Sequence, residues 1–193
     1  DKYGKQRTEI VTLVNSFHGR TVTTLAATGQ DVFHEHFWPF TEGFSYARAN
    51  DFESLLSCVT ENTCAVLIEL IQGEGGVMPL EKEFVRKTAA LCKEKDILLM
   101  IDEVQTGVGR TGSLFCFQQY GIRPDVVTMA KGLGGGLPVG AVLAAESCAG
   151  VLTPGTHATT FGGTPIVCAA VNAVLDTVGE GQFLAAVRER AST

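Results

Sequence analysis

No apolar stretch of the 193-residue chain reaches the ~20 residues of a membrane-spanning helix, and Asp1-Lys2-Tyr3-Gly4-Lys5 does not read as a signal peptide. A soluble protein is expected. Basic runs are absent too: 15 Lys and Arg stand against 21 Asp and Glu, a net charge of −6, which argues against nucleic acid as a partner. The six cysteines, at positions 58, 64, 92, 116, 148 and 168, include no Cys-x-x-Cys pair, and those at 64, 92, 116 and 168 lie in apolar runs. They are expected to be small core residues in a reducing compartment, the cytoplasm or an organelle matrix, rather than a disulfide framework or zinc site. His34-Glu35-His36 has no second His or Cys cluster to complete a metal site, so a packed surface loop without metal is expected there. Internal repeats and low-complexity linkers are also missing, which leaves a single domain over 1–193 as the reading.

What is present centres on two apolar runs. Ile97-Leu98-Leu99-Met100-Ile101 leads into Asp102-Glu103-Val104-Gln105, and Val126-Val127-Thr128-Met129 leads into Ala130-Lys131-Gly132. Each is short, apolar on both faces and bounded by polar residues or glycine, the pattern of a buried strand in a parallel sheet. Strand ends line the ligand crevice of open α/β sheets, so Asp102 and Lys131 are expected on one rim. A lysine in an apolar, glycine-lined position is disfavoured as an ammonium, and its neutral amine attacks aldehydes. A buried aspartate needs a cationic partner, and the protonated pyridine nitrogen of pyridoxal phosphate is one. Asp102 and Lys131 are read as the two ends of a site for that cofactor.

The rest of the chain supplies strands and helices in alternation. Thr8 to Val14 reads as a strand that delivers Asn15-Ser16-Phe17-His18-Gly19-Arg20-Thr21 to a loop, with a helix starting near Val22. Phe17 is either core packing or a face on which a planar ring stacks, and Arg20 is either a surface charge or a fork for a carboxylate or phosphate. A short helix follows Asn50 and Asp51, and Cys64-Ala65-Val66-Leu67-Ile68 is a third strand candidate ending in Glu69. Glu69 and Glu74, in the loop Gln72-Gly73-Glu74-Gly75-Gly76, are acid/base partners or the counter-charges of an arginine, the latter preferred. Glu81 to Lys95 is an amphipathic helix, which completes a strand, helix, strand order.

Gly107-Val108-Gly109-Arg110-Thr111-Gly112 fits the dinucleotide pattern G-x-G-x-x-G. That fingerprint needs its first glycine at the strand end, a helix opening at the last, and an acidic residue closing the next strand, where this chain has Lys131. The match is read as chance. Gly132 to Pro138 is not a Walker loop, since the lysine precedes the glycines. Val139 to Ala144 is a further strand candidate, and Gly155 to Gly163 is a hydroxyl-rich loop, either a solvated turn or a phosphate contact. Thr164-Pro165 opens a helix to Val178, and a last helical run, Phe183 to Ala191, has no evident surface to pack on.

Taken together, Ser16-Phe17-His18-Gly19-Arg20-Thr21, Gln72-Gly73-Glu74-Gly75-Gly76, Asp102-Glu103-Val104-Gln105-Thr106-Gly107, Ala130-Lys131-Gly132 and Thr160-Phe161-Gly162-Gly163 resemble the class III aminotransferases in content and order. The resemblance implies a fold type I large domain, α/β with a mainly parallel sheet flanked by helices, and pyridoxal 5'-phosphate as cofactor. Phe17 and Val104 are implied to cover the two faces of the cofactor ring, Gln105 to bond its phenolic oxygen, Asp102 its nitrogen and Lys131 its aldehyde carbon. Thr160 is implied to reach the phosphate of a partner subunit's cofactor in a homodimer, Arg20 to hold the distal end of the substrate, and Glu74 to pair with a carboxylate-binding arginine. The implied reaction passes an ω-amino group to 2-oxoglutarate, from N-acetylornithine first and from ornithine or 4-aminobutyrate as alternatives. Leu70 and Thr164 stand where the family commonly has proline and asparagine. An upstream phosphate-binding turn and a C-terminal small domain find no counterpart, so the chain is expected to be a fragment, with a cofactor-binding piece without turnover as the reading of another class.

Overall fold

The computed structural model describes residues 7–192, which form an α/β fold whose strands are mostly parallel and flanked by helices. Two compact units divide the chain, Asp1–Ile101 and Asp102–Thr193.

In the first unit, β1 (Glu9–Leu13) is followed by the short helix α1 (Val22–Ala27), β2 (Phe44–Ala47), α2 (Phe52–Cys58) and β3 (Thr63–Ile68). A two-stranded antiparallel ribbon, β4 (Ile71–Gln72) with β5 (Met78–Pro79), precedes α3 (Lys82–Lys95) and β6 (Leu98–Asp102). Strands β2, β1, β3 and β6 lie side by side in that order, every pair parallel, with Ile10 opposite Phe44 and Ala65, and Val66 opposite Leu99. The β-branched and aliphatic content of these runs suits strands covered on both faces, and Val11, Leu13, Val66, Ile68 and Ile101 are wholly excluded from water.

The helices end where their sequences say they should. Asp51 caps α2 through its carboxylate, which accepts the Ser54 N–H at 2.9 Å. Phe84, Val85, Thr88, Leu91 and Cys92 make the buried stripe of α3. Asp96 stops that helix in the left-handed region, φ 53, a conformation its short polar side chain tolerates, and the Ile97 N–H closes on the Cys92 carbonyl at 3.0 Å.

The second unit contains β7 (Val126–Met129), β8 (Ala141–Ala144), the single turn α4 (Glu146–Ala149), and the helices α5 (Pro165–Gly179) and α6 (Gly181–Ala191). β8 pairs antiparallel with β7, Thr128 opposite Val142. Val127, Met129 and Leu133 form the core here, with Phe115, Phe117, Val171 and Leu175 packed against it. Three expectations about the helices of this unit fail. Cys168 is exposed rather than buried, because α5 is apolar around most of its circumference and only one stripe meets the core. The run from Phe183 does have a seat: α6 packs on α5 and on the 107–112 turn, where a Cβ on Gly109 would lie 2.5 Å from Val178, and Arg188 donates to the Gly112 carbonyl. Thr164 precedes α5 as expected, with Pro165 in its first turn, but its hydroxyl caps no N–H.

No helix among the described residues is long and apolar enough to cross a membrane. Leu13→Ala is expected to cost about 2–5 kcal/mol in equilibrium urea unfolding, against under about 1 kcal/mol for Leu56→Ala. The contrast follows from position, since Leu13 is wholly buried and Leu56 is 39% exposed on α2.

Candidate active site

The first unit gathers Phe17, Arg20, Glu69 and Glu74 at the carboxyl ends of β1 and β3. After β1 the chain turns through Asn15 in the left-handed region, φ 66. The segment that follows is tied down bond by bond: the Ser16 hydroxyl accepts the Gly29 N–H at 3.0 Å, the Phe17 N–H reaches Glu69 Oε2 at 2.8 Å, and the His18 N–H reaches the Thr28 hydroxyl at 3.0 Å. Gly29 has no room for a side chain, since a Cβ there would lie 2.1 Å from the Leu13 carbonyl oxygen.

Phe17 is half-buried and edge-on to Phe33, with ring centroids 5.5 Å apart. The exposed Arg20 guanidinium lies 4.2 Å from the Phe33 ring centre and 5.5 Å from that of Phe17, so aromatic faces support the cation while its donors stay available. Buried Gln72 donates to the Val14 carbonyl at 2.8 Å, and Gly75 sits so close to Asn15 that a Cβ would fall 2.5 Å from its carbonyl oxygen. These two contacts bring the turn carrying exposed Glu74 against the Phe17 loop. Glu69 is buried, and its Oε2 accepts the Phe17 N–H.

In the second unit, Asp102, 8% exposed, closes β6, and its Oδ1 accepts the Val104 N–H at 3.0 Å. The next residue joins the two central runs: the Glu103 N–H donates to the Thr128 carbonyl of β7 at 2.9 Å. Lys131 lies three positions beyond Thr128, so Asp102 and Lys131 issue from adjacent strand ends, as the sequence pattern implies. Val104 and Gln105 follow, both half-buried. Lys131 opens a short 3-10 turn, Lys131–Gly134, with φ 41, a left-handed conformation that costs a lysine roughly 1–3 kcal/mol. Leu133, 1% exposed, anchors the turn in the core, and its N–H closes on the Ala130 carbonyl at 2.9 Å. Lys131 itself is exposed, not apolar-lined as expected, because the glycines around it offer no cover.

Glu103 was not a sequence candidate, yet it is fully buried. Its Oε2 accepts the Thr106 hydroxyl at 2.7 Å and the Cys116 N–H at 3.1 Å, and its Oε1 accepts the Phe117 N–H at 2.8 Å. The three-residue spacing of Glu103 and Thr106 was the available sign; nothing in the sequence marked residues 116 and 117. Burial pushes the Glu103 carboxyl above its ordinary range, the three donors oppose that, and the charge of Asp102 adds to it. Burial, with Glu103 alongside, pushes the Cys116 thiol up to about 11. The Tyr120 hydroxyl rises to about 12, by burial first and then by Cys116 and Glu103.

The 107–112 glycines form turns: the Gly107 N–H donates to the Glu103 carbonyl and the Gly109 N–H to the Leu114 carbonyl, and no helix opens at Gly112. A dinucleotide-binding reading has no support in that geometry. Thr160 lies in the exposed stretch between α4 and α5, and none of the hydrogen bonds among the described residues ties it to the Asp102–Lys131 rim. No group of His, Cys, Asp and Glu among the described residues is arranged to hold a metal ion. The donor set of the second unit suits a flat heteroaromatic aldehyde: a buried carboxylate for a protonated ring nitrogen, the Gln105 amide for a ring hydroxyl, and a primary amine for the aldehyde.

The sequence model described as "Aminotransferase class-III" matches residues 1–192. The acetylornithine aminotransferase of Haemophilus ducreyi is 52% identical over 191 residues, which cover 98% of this chain and 48% of the relative. That of Oceanobacillus iheyensis is 53% identical over 189 residues, covering 98% and 47%. Among solved structures, an ornithine aminotransferase from Toxoplasma gondii superposes with a TM-score of 0.83 at 34% identity, over 88% of this chain and 41% of that one; its structure shows partial occupancy of PLP at the active site. The chain spans about half the length of the curated relatives it matches.

The raised Cys116 thiol sets an alkaline limb of stability. The unfolded thiol ionises from 9.0 while the folded one holds its proton to about 11, so the folded state binds more protons in that window and stability falls as pH rises through it. Urea unfolding across the window is expected to show that decline in the wild type and a shallower one in Cys116→Ala; identical slopes would count against a buried, protonated thiol.

Proposed function

Since the chain belongs to the class-III aminotransferases, we propose that it is the cofactor-holding large domain of an enzyme that transfers the ω-amino group of N-acetylornithine to 2-oxoglutarate. The observation that carries this reading is the pairing of Asp102 and Lys131 at adjacent strand ends, joined through the Glu103 N–H and the Thr128 carbonyl. Two relatives above 50% identity that bear the acetylornithine name support the donor. The likeness to an ornithine aminotransferase, at 34% identity, favours ornithine as the second reading.

Pyridoxal phosphate, when bound, supplies an electron sink that stabilises negative charge on the carbon bearing the substrate amine. The chain's residues do the rest. Asp102 Oδ atoms hold the proton on the ring nitrogen, which keeps the sink strong. Gln105 would bond the ring hydroxyl, and Phe17 and Val104 would each offer an apolar surface to the ring. Lys131 Nζ would hold the cofactor through its aldehyde carbon and, as a free amine, would serve as the base and acid that moves the proton of the amine-bearing carbon. Arg20, its guanidinium already steadied by two rings, receives the distal end of the substrate. Glu74, exposed on its turn, pairs with a carboxylate-binding arginine and so admits donor and keto acid in alternation.

Thr160, on an exposed stretch, reaches the phosphate held by a second copy in a homodimer with shared sites. The exposed Phe161 and Ile166 beside it, 82% and 77% accessible, support an interface there. The proposed setting is arginine biosynthesis in the cytoplasm.

Addition of pyridoxal phosphate to the full-length protein is expected to give a visible absorbance band that borohydride fixes on Lys131, and Lys131→Ala is expected to lack it. Turnover with N-acetylornithine is expected to fall by about 10²–10⁴-fold in Lys131→Ala, the share proton transfer contributes. A band of equal intensity in both proteins, or faster turnover of ornithine than of its acetylated form, would overturn the cofactor role or the donor, respectively.

A further inference from the structure

Glu103 is a carboxylate without access to water, one residue from the proposed ring-nitrogen partner, and the roles above give its side chain nothing to do. We propose that Glu103 is the positioning residue of Asp102: its carboxylate fixes the turn that aims Asp102, and thereby sets how firmly the cofactor ring is held. The inference rests on the reading of Asp102 as the partner of the ring nitrogen.

The geometry runs through one peptide plane. Every polar group of Glu103 is engaged: its N–H with Thr128, its carbonyl with the Gly107 N–H at 2.9 Å, and both carboxylate oxygens with Thr106, Cys116 and Phe117. The Glu103 carbonyl and the Val104 N–H belong to the same planar unit, so fixing the first fixes the direction of the second. That Val104 N–H is the donor to Asp102 Oδ1, at 3.0 Å. The aim of the Asp102 carboxylate is thus inherited from Glu103.

The side chain is the part that backbone bonding alone does not supply. Thr106 lies inside the turn, whereas Cys116 and Phe117 begin a separate 3-10 turn whose first N–H groups have no partner within that turn. Glu103 satisfies those N–H groups and, in doing so, clamps the 103–107 turn to a second, independently packed segment. Gly107 completes the clamp, because a Cβ there would lie 2.7 Å from the Glu103 carbonyl oxygen. Two oxygens facing three donors match a carboxylate; an amide at the same place turns an NH₂ toward at least one N–H and leaves it unpaired. Glutamine is therefore a near-isosteric substitution that weakens the clamp without removing volume.

The test uses the full-length protein as Glu103→Gln, Asp102→Asn, the double variant and Thr106→Val. Without cofactor, hydrogen exchange of the backbone amides of 103–107 is expected to be about tenfold faster in Glu103→Gln, the size of one lost charge-assisted bond, with a smaller rise in Thr106→Val. With pyridoxal phosphate, Glu103→Gln is expected to weaken binding by about tenfold in the wild-type background and to add nothing in the Asp102→Asn background, since it acts through Asp102. Unchanged exchange at Val104, or an equal loss in both backgrounds, would overturn the proposal and leave Glu103 a purely structural acid. Thr106→Val decides the same question if Glu103→Gln does not fold. The two readings fail separately: wild type and Lys131→Ala binding pyridoxal phosphate alike would remove the cofactor site and this inference with it, whereas a difference between them alongside additive double-variant losses would remove only the role of Glu103.

Discussion

A charged oxygen pair removed from water must have donors brought to it, and around Glu103 that requirement organises the second unit. Its carboxylate collects a hydroxyl and two backbone N–H groups from positions 106, 116 and 117, while its own N–H reaches across to β7. Replacing such a centre by apolar residues is tolerated in many proteins, but breaking it leaves several buried polar groups without partners. Cys116 and Tyr120 feel the same carboxylate, which adds to burial in keeping both protonated over the ordinary pH range.

The first unit solves a comparable problem with backbone rather than charge. Its loop after β1 would be mobile if it depended on contacts of its own; instead Ser16, Thr28, Glu69 and Gln72, all buried, each take up a backbone group of the 14–18 segment or of the strand return at Gly29. Phe17 and Arg20 are thereby presented on a stiff loop, and the cation is held by ring faces rather than by a carboxylate. A guanidinium steadied in that way keeps its hydrogen-bond donors for a ligand, which an ion-paired one does not.

Much of this is legible in the sequence. Short apolar runs ending in Asp102, Glu69 and Lys131 identified strands, and the rim shared by Asp102 and Lys131, because a strand buried on both faces leaves a distinctive composition. Helices α2 and α3 were visible from periodicity and from Asp51, whose capping bond is local. The failures share a cause as well. Whether Cys168 is buried and what α6 rests on depend on partners remote in sequence. Glu103 is the clearest case: beside Asp102 it looked like the tail of a strand, and its two most telling partners stand 13 and 14 positions away. The G-x-G-x-x-G match was correctly set aside, since the surrounding pattern, not the glycines, decides what such a loop holds.

The backbone of Lys131 sits at φ 41, where glycine is at ease and a lysine is not. Replacement by glycine would relieve that strain, so the substitution that removes the reactive amine would also be one of the more comfortable ones for the folded chain. Searches that select for robustness alone would therefore drift toward an inert protein at this position. Heat resistance and chemistry pull in opposite directions at Lys131, and a thermostable variant obtained without an activity screen would need its residue 131 checked before anything else.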